Sequence, residues 1–397
     1  MRNRFSLIVM VVVALAALLS AAPSQAVGVP TGLDNASQQG GDSPRMYEYE
    51  LLGLTVELPP GWDAVSGGQE FDLAFVSPEA LAGGPGAFIT LQNIPGLGPD
   101  ATLESALEPL AEQVNSRVEP LTAGANEGFH VQFADGNGNT QYLILFPYGN
   151  AGEVFYIQAL APNGQDGTIL GILDSLQIEP PQPDYEAINA AWQASVADTG
   201  RMIYGDPDAP IQIVEFYSFT CPHCANYSYP MNRLIALDVE SGRAQIELVP
   251  IAGDALADRA TRATFCAAEQ GAGYSAYKAL FSGSINLGRE YAYSEEGIAE
   301  ILSGLDVTID RDALETCMAD DRYTAAMDEA RVRFTDYGLT GTPTVLLGAN
   351  GDDVQPLLLP DGRVWSGSIP VEILRTIFTL ITEEGVAVED VVSHLMQ

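Results

Sequence analysis

Short runs of alternating apolar and polar residues, separated by turn-forming residues, fill most of the first half of the chain. LTVELPPGW, from Leu54, predicts a strand that ends in a turn at its Pro-Pro-Gly, and AFITLQNIP, from Ala87, predicts another strand. Three later runs, FHVQFAD, TQYLILFPY and EVFYIQALA, are joined through connections that contain Gly and Asn, so they predict antiparallel hairpins.

Two segments of this half have apolar residues at helical spacing instead. LESALEPLAEQVN, from Leu103, predicts a helix with leucines on one side, and TILGILDSLQI, from Thr168, predicts a closing helix. Residues 46–178 are therefore predicted to form an α+β domain in which helices cover an antiparallel sheet. The opening LPPGW turn and the closing ILDSL helix resemble the PsbP/Mog1/DcrB-like group of small domains, and this resemblance implies a fold and no chemistry.

The pattern changes in the second half of the chain. A proline-rich joint and a short helix, YEAINAAWQASVAD, are predicted to bridge residues 179–200 to a second domain at 201–397. IQIVEFYSF, from Ile211, predicts a strand with apolar side chains on both faces, which is typical of a sheet buried on both sides. Repeated Ala and Leu residues over about 254–337 predict an insert of packed helices.

The first 26 residues have the pattern of an export signal. Two arginines precede an apolar run from Phe5 to Ala22, and Ser24-Gln25-Ala26 supplies the small residues that a signal peptidase needs. An uncleaved membrane anchor is the alternative, because the run is close to the roughly 17 residues that can span a bilayer. Residues 27–45 are rich in Gly, Ser, Gln and Asn and predict a flexible linker. The chain is predicted to be extracytoplasmic, where disulfides persist.

Composition and charge limit the expected number of domains and the classes of partner. The chain has 397 residues, so two globular domains are expected, and its hydrophobic content of 47% is enough for sizeable cores. Its net charge of -36 should repel nucleic acids and anionic membranes, so neither is a predicted partner.

The candidate chemistry lies directly after the strand from Ile211. Cys221 and Cys224 flank Pro222 and His223, and Thr220 precedes them. Pro222 suits the first turn of a helix and Thr220 can cap it, so we place Cys221 at a helix N-terminus. Backbone N–H groups and the helix dipole stabilise an anion there and shift the sulfur toward the reactive thiolate. His223 adds a positive or hydrogen-bonding neighbour, and the spacing lets Cys224 close a small disulfide ring.

Glu215 lies in the predicted strand before this motif. A buried carboxylate is costly unless it has a partner or a function. We expect Glu215 beneath the helix start, where it could relay the proton of Cys224, whose thiol must be deprotonated to resolve a mixed disulfide.

A zinc site and a purely structural disulfide are the alternatives to redox exchange. A zinc site needs four ligands, commonly from two paired motifs, and the chain has no second C-x-x-C and only 3 histidines. A structural disulfide that closes so short a loop would remove little chain entropy. Redox exchange is therefore the prediction.

IYGDPDAPIQIVEFYSFTCPHC, together with the distant GTPTVLL, resembles the DsbA-type thioredoxin-fold thiol-disulfide oxidoreductases over about residues 201–385. The resemblance implies an α/β thioredoxin fold with an inserted helical domain. It also implies that Cys221 is the nucleophile, Cys224 the resolving thiol and Glu215 the buried acid. No metal, nucleotide or flavin cofactor is expected.

Pro343, which follows Thr342, corresponds to the cis-proline of that family. X-Pro is the bond at which the cis form is accessible, and a cis bond here would aim the Thr342 backbone at a neighbour. In the fold that the chain resembles, this neighbour is the active-site sulfur with its bound peptide, so Thr342 and Pro343 are predicted to bind substrate. An ordinary trans proline at the start of a strand is the alternative.

The remaining cysteines, Cys266 and Cys317, fall in the helical insert. In an oxidising compartment an even, leftover pair suggests a structural disulfide. Some DsbA-like proteins also have a second bridge in this domain. Two unpaired buried thiols are the alternative.

These observations predict an exported thiol-disulfide oxidoreductase that introduces or exchanges disulfides in extracytoplasmic proteins. Its expected partners are reduced or unfolded exported proteins and a membrane redox partner that recharges the active-site pair. One alternative is a disulfide reductase or isomerase of the same fold. Another is a binding or scaffold protein whose N-terminal domain is the working part.

Overall fold

A computed structural model of the chain describes residues 43–66, 72–94, 101–149, 153–349 and 351–396. The predicted export signal, and all but the last three residues of the predicted linker, lie outside the described residues. The chain divides into two compact units between Pro180 and Pro181, inside the proline-rich segment. Within the described ranges, no helix is both long enough and apolar enough to cross a bilayer.

The N-terminal unit consists mainly of strands. Its strands are β1 (Arg45–Tyr49), β2 (Leu54–Leu58), β3 (Asp63–Ser66), β4 (Leu73–Val76), β5 (Phe88–Ile94), β6 (Val118–Ala123), β7 (Asn126–Ala134), β8 (Thr140–Tyr148), β9 (Glu153–Ala161) and β10 (Gln177–Ile178). Its α-helices are α1 (Pro78–Leu81), α2 (Leu103–Gln113) and α3 (Asp166–Asp174).

These strands form two antiparallel sheets. Seven strands pair in the order β3-β4-β5-β9-β8-β7-β6, and three pair in the order β1-β2-β10. Because side chains alternate along β8, Leu143 and Leu145 pack with α2 on one face, whereas Ile144 and Phe146 join the core that includes α3. The expected α+β class, with helices on an antiparallel sheet, is confirmed.

The C-terminal unit combines a smaller sheet with many helices. Its strands are β11 (Met202–Gly205), β12 (Ile211–Tyr217), β13 (Ala244–Pro250), β14 (Thr344–Ala349) and β15 (Gln355–Pro356). Its α-helices are α4 (Tyr185–Thr199), α5 (Pro222–Leu234), α6 (Ala255–Glu269), α7 (Gly273–Gly283), α8 (Arg289–Ala292), α9 (Glu295–Ser303), α10 (Arg311–Ala319), α11 (Thr324–Asp336), α12 (Val371–Thr382) and α13 (Val391–Leu395). One π-helical turn, Ile235–Val239, continues α5, and another, Ser284–Gly288, joins α7 to α8.

The sheet of this unit has the strand order β11-β13-β12-β14-β15. β12 and β13 are parallel, and the other neighbours are antiparallel. β12 is central, and both of its faces are buried, as its unbroken apolar pattern predicts. Helices α6 to α11 all lie between β13 and β14 in the chain, so they form an insert between the two halves of the sheet.

Helix α4 corrects the expected domain organisation. The sequence suggested a bridging helix outside the second domain, but the structure places α4 inside the C-terminal unit. The side chain of Trp192 is 1% exposed, and its ring contacts those of Tyr274 and Tyr277 at centroid distances of 5.3 and 6.0 Å. Asn189 also accepts a hydrogen bond from the backbone N–H of Tyr274 at 2.8 Å. Burial of a large aromatic side chain therefore makes this helix part of the core.

A disulfide joins two helices of the insert. Cys266 of α6 is bonded to Cys317 of α10, with a Cα–Cα distance of 5.8 Å, and both residues are buried. The bond closes a loop with a sequence separation of 51 residues, so it restricts the unfolded chain strongly.

We predict that the double variant Cys266→Ala/Cys317→Ala is less stable than the wild type. The chain-entropy model gives about 3 to 4 kcal/mol for a loop of this length, as an upper value, and hence a Tm lower by up to roughly 10 °C. Thermal unfolding of both proteins measures the loss. An unchanged Tm would show that the disulfide does not stabilise the protein by restricting the conformations of the unfolded chain.

Candidate active site

The site begins where β12 ends and α5 starts. Cys221 has extended backbone angles and occupies the N-cap position, while Pro222 is the first helical residue. The backbone N–H groups of Cys224 and Ala225 donate to the Cys221 carbonyl at 3.1 and 3.2 Å. The sequence suggested Thr220 as the cap, and this was wrong: its hydroxyl donates instead to the Asp254 carboxylate at 2.8 Å.

The sulfur of Cys221 meets a chain segment that is distant in sequence. Cys221 is half-buried, and its Sγ donates to the carbonyl oxygen of Thr342 at 3.1 Å. The Thr342-Pro343 bond is cis. Pairing of Phe216 with Thr344 between β12 and β14 brings these two segments together. The sheet therefore assembles the Cys221 motif and the Thr342-Pro343 pair into one place.

The surroundings of Cys221 favour its thiolate. Its pKa falls from 9.0 to about 5, chiefly because the side chain of Cys224 hydrogen-bonds to its sulfur. Partial burial opposes this change, and the Thr342 side chain and the backbone N–H groups of Cys224 and His223 add to it. His223 thus acts on the sulfur through its backbone N–H, while its imidazole is exposed. Donors at a helix N-terminus stabilise the negative charge.

Cys224 has the opposite character. Its side chain is 0% exposed, and its sulfur accepts one hydrogen bond, from the backbone N–H of Ser218 at 3.5 Å. Burial raises the pKa of this thiol far above its ordinary value, and the hydrogen bond to Cys221 adds to the rise. Both residues are free thiols in this structure. One sulfur is therefore accessible and ionisable, and its neighbour is inaccessible and protonated.

Glu215 lies in β12, the strand before this pair, and is fully buried. Burial raises the pKa of its carboxyl from 4.5 to about 8, Lys278 lowers it, and Cys221 raises it further. Neither carboxylate oxygen has a hydrogen-bond partner among the described residues. A buried acid with such a pKa exchanges protons near neutral pH, as proton transfer to a thiol requires.

Lys278 belongs to the same buried region, and the motif reasoning missed it. It lies in α7 and is 7% exposed, and its Nζ donates to the carbonyl oxygen of Ser228 at 2.8 Å and to its hydroxyl at 3.2 Å. The ammonium group also lies 4.3 Å from the centre of the Tyr229 ring. Lys278 is the only lysine of the chain and lies in the largely apolar helical segment YSAYKALF. A charged residue in such a segment is the sequence pattern that could have indicated its burial.

Comparisons with known proteins agree with the fold of this unit. Residues 197–356, which include the Cys221 motif and Pro343, match the family model for thioredoxin. The C-terminal unit therefore has a thioredoxin-like fold, as expected. No curated protein is significantly similar to the chain.

Several solved structures are similar to this half of the chain. A thioredoxin-like oxidoreductase from Silicibacter pomeroyi DSS-3 is 20% identical, covers 50% of this chain and 98% of its own, and has a TM-score of 0.37. DsbA2 of Pseudomonas aeruginosa is 23% identical over 46% of this chain and 94% of its own, with a TM-score of 0.35. BdbD of Bacillus subtilis is 16% identical over 45% of this chain and 90% of its own, with a TM-score of 0.37.

We predict that Glu215→Gln stabilises the protein in a pH-dependent manner. The folded protein retains a proton on Glu215 that the unfolded chain releases, so the wild type loses stability as pH rises from about 4.5 through about 8. The variant has no such proton to retain, so its Tm advantage should grow across this window and then level off. Thermal unfolding in a Cys221→Ala background removes the contribution of the thiolate, and because Cys221 raises the pKa of Glu215, the window should then end below about pH 8.

Glu247→Gln is the matched control for this experiment. Glu247 is also buried, but despite its burial, hydrogen bonds from Arg333 and Arg201 lower its pKa below 4.5. Glu247 is ionised in both states from about pH 6 upward, so the stability difference between Glu247→Gln and the wild type should stay constant over the upper part of the window. A constant difference for Glu215→Gln as well would contradict the assigned pKa.

Proposed function

We propose that the C-terminal unit is a thiol-disulfide oxidoreductase that acts on the thiols of other proteins outside the cytoplasm. The observation that carries the proposal is the contrast between Cys221, accessible and ionisable, and Cys224, buried and protonated. Disulfide exchange needs one sulfur that partner proteins can reach and a second sulfur that reacts only with the first sulfur of the same protein.

The proposed reaction begins with the Cys221–Cys224 disulfide. A client thiolate attacks Sγ of Cys221 and forms a mixed disulfide, while the bond to Cys224 breaks and its sulfur takes a proton from Glu215. A second client thiolate then attacks the client sulfur of the mixed disulfide. Cys221 leaves as a stabilised thiolate, so the client loses two electrons and the active-site pair gains them.

The direction of exchange follows from the pKa of Cys221. A thiolate that is stabilised in the reduced protein makes the corresponding disulfide a stronger oxidant. The pair should therefore introduce disulfides into reduced clients rather than remove them. Each cycle leaves a dithiol, so a membrane redox partner must accept its electrons.

The other predicted site residues take supporting roles in this proposal. Thr342 and Pro343, which lie beside the Cys221 sulfur, dock the client chain next to it. Pro222 starts the helix, and the backbone N–H of His223 contributes to the low pKa of Cys221.

The proposed location is the cell envelope or beyond it. The export pattern of residues 1–26 motivates this, and the buried Cys266–Cys317 disulfide supports it, because such bonds persist in oxidising compartments. Residues 27–45 would be a linker, and residues 46–178 would be a separate PsbP/Mog1/DcrB-like domain. The catalytic domain would span 201–397, together with the helix that precedes it.

We predict that the purified protein oxidises a reduced, unfolded protein and that Cys221→Ser abolishes this activity. Loss of free client thiols, followed with a thiol reagent, measures the reaction. The Cys266→Ala/Cys317→Ala variant is the control and should remain active at temperatures where it is folded. Activity that survives Cys221→Ser would place the nucleophile elsewhere.

We also predict that Glu215→Gln slows the exchange by about 10²-fold, the lower end of what general acid catalysis contributes. In the wild type the rate should fall above about pH 8, where Glu215 loses the proton that Cys224 needs. Lys278→Met removes a charge that lowers this pKa, so the fall in rate should move to higher pH. An unchanged pH profile in both variants would exclude Glu215 as the proton donor.

A further inference from the structure

The two residues immediately before Cys221 are held by side chains from the helical insert. Thr220 donates from its hydroxyl to Oδ2 of Asp254 at 2.8 Å, and its carbonyl oxygen accepts from Nη1 of Arg289 at 3.2 Å. The carbonyl oxygen of Phe219 accepts from the hydroxyl of Tyr293 at 2.8 Å. Two consecutive carbonyl groups and one hydroxyl are thus bound by residues distant in the sequence.

Asp254 and Tyr293, which make two of these contacts, are themselves fixed. Asp254 caps α6, where it accepts from two backbone N–H groups at 2.9 Å. Tyr293 is 0% exposed, and its ring packs against that of Phe219 with centroids 5.6 Å apart. Arg259 donates to the Tyr293 carbonyl oxygen at 2.8 Å. Arg289 follows the π-helical turn Ser284–Gly288 as the first residue of α8.

We propose that Asp254, Arg289 and Tyr293 are positioning residues that set the reactivity of Cys221 by fixing the backbone ahead of it. This inference rests on the proposed function of Cys221 and assigns part of that function to the insert.

The geometry explains how the contacts reach the sulfur. The backbone N–H of Cys221 donates to the Ser218 carbonyl oxygen at 3.1 Å, and Arg289 binds the carbonyl of the same peptide unit. Both ends of the Thr220-Cys221 peptide plane are therefore held. Rotation of that plane would redirect the Cα–Cβ bond of Cys221 and move Sγ away from the backbone N–H groups of Cys224 and His223, which lower its pKa. These donors stabilise the thiolate only at hydrogen-bond distance.

The test compares Thr220→Val with Thr220→Ser. Valine removes the hydroxyl that Asp254 binds without changing net charge, whereas serine retains it. We expect Thr220→Val to raise the pKa of Cys221 by about 0.5, which reduces the thiolate fraction near the pKa by roughly a factor of two. We expect Thr220→Ser to match the wild type. Ultraviolet absorbance of the thiolate during a pH titration gives the pKa, and the reaction rate with a small aromatic disulfide gives an independent measure.

Arg289→Met tests the second contact, with Arg311→Met as its matched control. Both variants remove one exposed guanidinium from the insert, but Arg311 pairs with Glu315 on α10 and does not contact the active-site segment. Only Arg289→Met should raise the pKa of Cys221 and slow the reaction with the small disulfide. Both substitutions lie at the surface, so equal Tm values would show that folding is intact.

The outcomes separate this inference from the function on which it rests. A low wild-type pKa that Thr220→Val and Arg289→Met leave unchanged would overturn the positioning role alone. A wild-type Cys221 that titrates as an ordinary thiol would defeat the proposed oxidoreductase instead.

Discussion

The chemistry of the site depends on a difference in surroundings between two sulfur atoms one helical turn apart. The sulfur of Cys221 lies at the start of α5, where hydrogen bonds from backbone N–H groups and from the Cys224 side chain stabilise its negative charge. The sulfur of Cys224 is enclosed by the core, where a charge would be costly. A central strand buried on both faces makes this contrast possible, because β12 carries the chain out of the core directly into the helix.

Buried acids in the same unit show how unusual Glu215 is. Glu247 forms ion pairs with Arg201 and Arg333, and Asp238 forms ion pairs with Arg243 and Arg375. Each of these carboxylates has two guanidinium partners, which stabilise its charge. Glu215 has no hydrogen-bond partner among the described residues, and the charges that act on its pKa are those of Lys278, which lowers it, and Cys221, which raises it. Its proton is therefore free to move, while the other acids have structural roles.

Patterns within one segment were predicted well, and contacts between distant segments were not. The long strands β7, β8 and β9, helix α2 and the helix start at Cys221 follow from local periodicity and turn residues. Short edge strands such as β3 and β6 were not predicted, because they are polar or interrupted by proline and form only through pairing. Thr220 was expected to cap α5, but its hydroxyl binds Asp254, 34 residues away. Lys278 and Arg289 likewise reach the site only through tertiary packing, which no local pattern encodes.

The burial of Lys278 gives the surface an unusual chemical character. Lys278 is the only lysine, and the other permanently charged basic side chains are arginines. Because Lys278 is buried, the folded protein presents no accessible lysine amine. Acylating reagents can reach Lys278 only when the packing between α7 and the active-site helix opens. The rate at which this single side chain becomes labelled would therefore report how often the interior beside the active-site helix is exposed to solvent.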